Sequence, residues 1–312
     1  MIIAKLLLGF GLLLAGGELL VRGSVGLALK LQVSRVVIGL TLVAFATSAP
    51  ELLVSVVAAM DGRSDIALGN VIGSNIANIG LILGLTAIIF KMQAVQFSYR
   101  KDWIFLLVAN LLLGLFLWLG GLEFWQGLIF VLLLVGYNVV KIRSARKNRE
   151  FHIGGDLEVE AMPILKGLLF LLTGGAILRF GALQFVEGIA STAVILGMSE
   201  RFISVTLVAF GTSVPELAAS MMAVRKGESD IAIGNIIGSN IFNILSVLGF
   251  TALIQPINSY DPVLFTSDFW VSVGLSLLII PLMGWFSKDR LDRLEGALLL
   301  GIYLIFIANL LL

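Results

Sequence analysis

The sequence predicts an all-α polytopic membrane protein: ten transmembrane helices in two inverted five-helix repeats, with helices broken near the middle. Three observations predict it. Of 312 residues, 59% are hydrophobic and only 13% charged, and the mean hydropathy is +1.05, which is more apolar surface than one soluble core can bury. The apolar residues fall into runs of the roughly 20 residues needed to cross a hydrocarbon layer about 30 Å thick. A long segment of the first half also recurs, without a gap, in the second half.

The apolar runs place spans at 3–29, 36–60, 67–90, 103–120 and 124–142, then at 164–190, 202–224, 231–255, 269–286 and 294–312. The first run continues past the length of a signal peptide and lacks a small-residue cleavage pattern, so it reads as a retained span. The one long polar break is "KIRSARKNREFHIGGDLEVE" at 141–160. It divides the chain into a first repeat (1–142), a cytoplasmic linker (143–163) and a second repeat (164–312). With the N-terminus outside, sixteen of the 21 Lys and Arg residues fall on the cytoplasmic side, the positive-inside bias of a multi-pass protein of the cell membrane. Both termini are then extracellular or periplasmic.

Composition also excludes function classes. A formal charge of +1, from 21 basic against 20 acidic residues, supplies no basic surface for nucleic acid. The absence of cysteine removes disulfides, thiolate nucleophiles and Cys-ligated metals. The single histidine, His152, sits in the polar linker, so histidine-metal motifs are missing.

The repeat carries most of the information. "TLVAFATSAPELLVSVVAAMDGRSDIALGNVIGSNIANI" (41–79) aligns with "TLVAFGTSVPELAASMMAVRKGESDIAIGNIIGSNIFNI" (206–244) at a constant offset of 165, with about two-thirds of positions identical. Five spans separate equivalent points. Because five is odd, the second copy enters the membrane from the opposite side, the inverted arrangement of many secondary transporters.

Within it, "ATSAPE" sets Pro50 beside Glu51 in mid-span. Proline has no N–H and its ring clashes with the carbonyl four residues back, so the helix is expected to be interrupted and the carbonyls near Ala46 freed. Freed carbonyls are tolerated in a membrane only where protein, water or an ion satisfies them. Thr47, Ser48 and Glu51, mirrored by Thr212, Ser213 and Glu216 in "GTSVPE", add hydroxyl and carboxylate oxygens. Hard oxygen donors suit calcium, sodium or magnesium.

The next span of each repeat adds Asn70, Ser74, Asn75 and Asn78, and Asn235, Ser239, Asn240 and Asn243. Ser74 and Asn78 share one helical face, as do Ser239 and Asn243. The glycines Gly69, Gly73, Gly234 and Gly238 form small-residue stripes for close helix packing. Taken singly, these polar and small residues read equally well as helix packing. The two carboxylates are different: a charge at mid-membrane costs several kcal/mol and calls for a partner. Arg22 and Arg179 are the basic residues of neighbouring spans, but Arg22 aligns with Glu187, not with Arg179. A salt bridge from Arg22 is one alternative; a shared divalent cation, which offsets two carboxylates, is the other. Asp65 and Asp230 read as helix caps and Asp261, Asp268, Asp289 and Asp292 as loop residues; lining an entrance is the weaker reading of Glu18 and Glu187.

At "TSAPE" with "GSNIAN" and "TSVPE" with "GSNIFN" the chain resembles the calcium/cation antiporter superfamily, and within it the prokaryotic sodium/calcium exchanger type. The resemblance covers roughly 16–90 and 181–255. It implies ten helices, with spans 2, 3, 7 and 8 forming a core around the ions and spans 1 and 6 sliding across it. Position by position it implies ion contacts from Thr47, Ser48, Glu51, Ser74 and Asn78 with the Ala44 carbonyl, and from Thr212, Ser213, Glu216, Ser239 and Asn243 with the Ala209 carbonyl. It implies no cofactor and no enzymatic activity: calcium and sodium are the transported ions and the bilayer is the surrounding partner. Some relatives carry aspartate at the position of Asn243, associated with a potassium requirement, so Asn243 argues against potassium co-transport. Proton-coupled relatives tend to replace Thr-Ser with Asn-containing variants, so Thr47-Ser48 and Thr212-Ser213 favour sodium. The rival readings are a calcium/proton antiporter cycling protons on the same glutamates, a cation channel, and an intramembrane hydrolase, for which no nucleophile pattern exists.

Overall fold

The computed structural model describes residues 2–90, 92–93, 99–148, 162–195, 200–258, 260–286 and 290–311. Side chains are described for these apart from 93, 145–148, 189–190, 193–194, 200–210, 212, 284–286 and 311. Ten long helices make up most of the described chain: α1 (Ile2–Leu31), α2 (Arg35–Met60), α3 (Ser64–Ile89), α4 (Arg100–Trp118), α5 (Phe124–Asn148), α6 (Ile164–Ile195), α7 (Glu200–Arg225), α8 (Ser229–Ile254), α9 (Leu264–Met283) and α10 (Arg293–Leu311). Among the described residues nine are long and apolar enough to cross a membrane, and α7, the remaining one, runs for 26 residues. The chain is therefore a multi-pass helical membrane protein. Most of the linker, with His152, lies outside the described residues, as does Asp289.

Local chemistry sets the helix ends. Ser34 accepts from the Val37 N–H at the start of α2. The turns before α3 and α8 each hold a glycine at positive φ, Gly62 at 73° and Gly227 at 75°, which a side chain would strain. Asp65 and Asp230, expected as caps, instead lie inside the first turns of α3 and α8, where a carboxylate meets the positive end of the helix. Asp268, expected in a loop, is buried in α9. The helix starts early because the Asp261 side chain accepts from the Val263 N–H at 2.9 Å and Pro262 preorganises the first turn.

Burial separates centre from periphery. The apolar windows of α2, α3 and α8 are 67, 72 and 89% buried, against 22% for α1 and 17% for α10, so these three of the four helices carrying the repeated motifs lie inward of α1 and α10. Contacts recur in repeat-related pairs: α3 packs on α10 and α8 on α5, and short antiparallel pairings join Met92 to Leu291 and Leu122 to Ile257.

Helices α1 and α6 lie against each other over most of their length. Gly9, Gly16 and Gly23 on α1 and Gly167, Gly174, Gly181 and Gly188 on α6 recur every seven residues and line this contact. A Cβ on Gly16 would stand 2.9 Å from the Gly174 carbonyl and 2.7 Å from the Leu178 nitrogen, and one on Gly174 would stand 2.9 Å from the Gly16 carbonyl. Close backbone approach through small residues is how helices associate where lipid removes the hydrophobic driving force. Gly16→Ala or Gly174→Ala is expected to cost about 1–3 kcal/mol by overpacking, whereas Gly11→Ala, on the same helix with nothing within 4 Å among the described residues, stays within about 0.5 kcal/mol. Thermal unfolding in detergent checks this. Equal shifts for Gly11→Ala and Gly16→Ala would rule the contact out as the cause.

Candidate functional site

Pro50 and Pro215 lie inside α2 and α7, and the helices run through both. The expected interruption is thus not a break in the chain. What proline removes is one hydrogen bond, the helical donor to the residue-46 carbonyl in α2. That oxygen faces α6, 3.6 Å from a Cβ built on Gly175. The backbone departs from α geometry elsewhere, in wide π turns at Gly39–Val43, Ala77–Leu83 and Asn243–Leu248. The last two take in the equivalent positions Asn78 and Asn243. Such bulges re-aim side chains and relax carbonyl bonding, which is why they concentrate at functional sites.

The two motifs of one repeat meet those of the other. Thr47 Oγ1 on α2 lies 3.2 Å from the Val43 carbonyl and 3.4 Å from the Ala44 carbonyl, and across the helix boundary 3.2 Å from Asn235 Oδ1 and 3.4 Å from Ser239 Oγ on α8. A hydroxyl has one proton, so it donates to one of these and keeps lone pairs for another ligand. Asn70 donates to Ser55 Oγ at 3.0 Å and to the Glu51 carbonyl at 3.2 Å, and Asn235, its equivalent, donates to Ser220 Oγ at 3.2 Å. These bonds brace each proline-bearing helix against the next span of its own repeat.

Asparagines of α3 and α8 then cross between repeats. Asn78 Nδ2 donates to Asn240 Oδ1 at 2.9 Å and Asn243 Nδ2 donates to Asn75 Oδ1 at 3.0 Å. With an offset of 165, the partner of each residue is the equivalent of the other's, the self-complementary pattern of a two-fold axis. One departure from symmetry is that Asn75 Nδ2 reaches the Asn240 carbonyl at 3.5 Å, while Asn240 Nδ2 has no partner among the described residues.

What remains unbonded defines the chemistry. Glu51 and Glu216 are 1 and 2% exposed, and Glu51 Oε2, Glu216 Oε2, Ser48 Oγ, Ser213 Oγ and Asn243 Oδ1 are buried without a hydrogen-bond partner among the described residues. Buried polar atoms without partners are rare and costly. With Asn240 Nδ2 these make six such atoms on the repeated motifs; five are oxygens, and four of those form two repeat-related pairs. The carboxylates are close enough to act on each other electrostatically, and Arg179 acts on both through space, but neither makes an ion pair among the described residues. Arg22 is bonded to Glu18 instead, which disposes of the salt-bridge alternative.

Of the twelve residues singled out from sequence, Ala44, Thr47, Ser48, Glu51, Ser74, Asn78, Ser213, Glu216, Ser239 and Asn243 are all buried on α2, α3, α7 and α8. The side chains of Ala209 and Thr212 lie outside those described. The glycine stripes divide: Gly234 and Gly238 are buried against Gly39 and Leu40, whereas Gly69 and Gly73 are half-buried, and of the described residues only Leu264 comes within 4 Å of a Cβ built on either, at 3.5 Å from one on Gly69. Glu18 borders a cavity of about 520 Å³ between α1 and α7, but its carboxylate is held by Lys226 at 2.6 Å as well as by Arg22, and Glu187 is held by Lys5 at 2.7 Å. Among the described residues no three His, Cys, Asp or Glu side chains come together. A cation held here would take most of its shell from neutral oxygens.

Fold and site together define a polytopic secondary transporter with a buried cluster of polar side chains where the two copies of the repeated segment meet. The sequence profile described as sodium/calcium exchanger protein matches residues 1–143 and 166–312, and the chain belongs to that family. It is 36% identical over 299 residues to the putative antiporter CaxA of Alkalimonas amylolytica, covering 94% of this chain and 93% of the relative. It is 34% identical to the sodium/calcium exchanger MaX1 of Methanosarcina acetivorans, covering 97 and 96% of the two chains. The solved structure of the sodium-calcium exchanger NCX_Mj soaked with zero Na⁺ and Ca²⁺ superposes with a TM-score of 0.82 at 32% identity, over 99% of this chain and 98% of that one.

Proposed function

We propose that the protein exchanges sodium for calcium across the membrane by alternating access, and that Ala44, Thr47, Ser48, Glu51, Ser74, Asn78, Ala209, Thr212, Ser213, Glu216, Ser239 and Asn243 form the ion site. Sodium–calcium antiport is the activity of the family to which the chain belongs. The observation that carries the site is the set of five unpartnered buried oxygens, two of them on carboxylates with no bonded cation. One calcium ion offsets two carboxylates, and the hydroxyl, amide and carbonyl oxygens beside them complete the six to eight ligands that calcium takes. Sodium, also a hard cation, uses the same oxygens in turn.

Exchange is obligatory if the empty core, carrying two negative charges in a low-dielectric slab, does not cross. A core holding more than two sodium ions carries net positive charge, and its movement then feels about 2.3 kcal/mol per charge per 100 mV of membrane potential. In this reading residues 1–142 and 164–312 are the two inverted halves, 143–163 is a cytoplasmic linker, and both termini lie outside. The crossed asparagine pairs and the shared offset support inversion, because alternating access needs one half to mirror the other about the site.

Radiolabelled calcium uptake into proteoliposomes tests the coupling. Uptake is expected with sodium inside and calcium outside, to fall to background when internal sodium is replaced by potassium, and to stay there when a pH gradient is imposed instead. Uptake driven by protons alone would replace this reading with calcium/proton antiport.

A further inference from the structure

We infer that Asn75 and Asn240 are positioning residues of the ion site: each holds the carboxamide of the other repeat's ligand asparagine so that its oxygen faces the cations. This rests on the reading above for the roles of Asn78 and Asn243. Asn75 precedes Asn78 by three residues and Asn240 precedes Asn243 by three, so each pair shares a helical face. Neither pair bonds within its own helix through these groups. Asn243 Nδ2 crosses to Asn75 Oδ1 at 3.0 Å, and Asn78 Nδ2 crosses to Asn240 Oδ1 at 2.9 Å. All four side chains are 0 to 2% exposed, so no bulk water competes for these bonds.

A carboxamide carries its donor and its acceptor on opposite sides of one carbon, and its terminal torsion has two nearly equivalent settings. Left to itself, Asn243 would present either Oδ1 or the NH₂ group to the ions, and the NH₂ setting repels a cation. An acceptor fixed behind the NH₂ group removes that choice. The consequence is visible at Asn243, whose Oδ1 is buried and unpartnered while its Nδ2 is satisfied. Donation from Nδ2 also polarises the amide and strengthens Oδ1 as a ligand. Because the arrangement is two-fold, one axis sets both ligands. A role as mere interhelical glue predicts lost stability without a paired effect on ion binding.

Double-mutant cycles on the apparent KM for calcium, measured in proteoliposomes beside thermal unfolding, test it. Asn243→Ala is expected to raise KM by about 10–100-fold, and Asn75→Ala to do nearly the same, as loss of a group behind a metal ligand does. The double variant Asn75→Ala/Asn243→Ala should be no worse than Asn243→Ala alone within about twofold, whereas Asn75→Ala/Asn78→Ala should multiply the single effects. Asn75→Asp, which keeps the acceptor oxygen, should hold KM at or below the wild-type value. If Asn75→Ala does not fold, Asn75→Ser, which removes the carbonyl acceptor and keeps a polar group, takes its place in the cycle. An unchanged KM in Asn75→Ala, full multiplication with Asn243→Ala, or a loss in Asn75→Asp as large as in Asn75→Ala overturns the positioning role alone. An unchanged KM in Asn243→Ala removes Asn243 from the ligands and this inference with it.

Discussion

Glu51→Gln and Glu216→Gln are each expected to abolish calcium uptake into sodium-loaded proteoliposomes, lowering calcium affinity by at least about 100-fold. Glutamine keeps the size of the side chain and one acceptor oxygen, so the change removes charge with little else. A calcium–oxygen ligand distance of about 2.4 Å and an effective dielectric constant of about 20 put the lost Coulomb attraction at about 14 kcal/mol, most of it offset by desolvation, and about 1.4 kcal/mol is tenfold. The site has no third carboxylate to compensate among the described residues. Because the two positions are repeat-related, the losses should be comparable, and the double variant should bind no calcium in a direct isotope assay. Glu123→Gln, an exposed residue bonded to Asn258, serves as the control and should exchange at the wild-type rate. Uptake near the wild-type rate in either site variant would remove the carboxylates from the ion path.

Much of this site was legible in the sequence because the repeat doubles every signal. Glu51 alone is an anomaly in an apolar run; Glu51 with Glu216, each after Thr-Ser and beside Pro, is a pattern that packing does not require. The ten spans followed from hydrophobic length, which the bilayer enforces. Other features were hidden because they are properties of contacts. Proline's local rule forecast an interruption at Pro50, but the helix runs through it, and the backbone departs from α geometry at π turns whose residues carry no sequence mark. The "GxxxG" stripes suggested equal packing in both halves, yet only Gly234 and Gly238 bear on a neighbouring backbone among the described residues. The glycines that bring α1 and α6 together went unread. Their signal was present as a period of seven in both halves, with Gly9, Gly16 and Gly23 offset by 165 from Gly174, Gly181 and Gly188. Asn75 and Asn240 were visible as polar residues, but nothing in one chain reveals that each bonds to the opposite repeat.

Arg35→Met is expected to destabilise the protein by about 3–5 kcal/mol, because it removes the guanidinium that lies against a fully buried carboxylate. Arg35 opens α2, and its guanidinium lies 2.7 Å from Glu228 Oε2 in the turn that leads into α8, with the two side chains 11 and 0% exposed. The pair ties the first repeat to the second at one end of the core. Its members are not equivalent. Glu228 cannot reach water, whereas a long arginine at the edge of the core can turn its head outward when released. Glu228→Gln should therefore cost less, about 1–3 kcal/mol. Joining Glu228→Gln to Arg35→Met should recover part of the loss, since the carboxylate that lost the Arg35 guanidinium is then replaced by a neutral group. Thermal unfolding of the detergent-solubilised variants reads this ordering directly: Arg35→Met lowest, the double variant above it, Glu228→Gln nearest the wild type. Glu228→Gln falling below Arg35→Met would place the desolvation cost on the arginine instead. The repeat-related positions, Glu200 and Arg63, carry the same two charges exchanged, so the end of the core that the second repeat mirrors has the residues for the same tie with its polarity reversed.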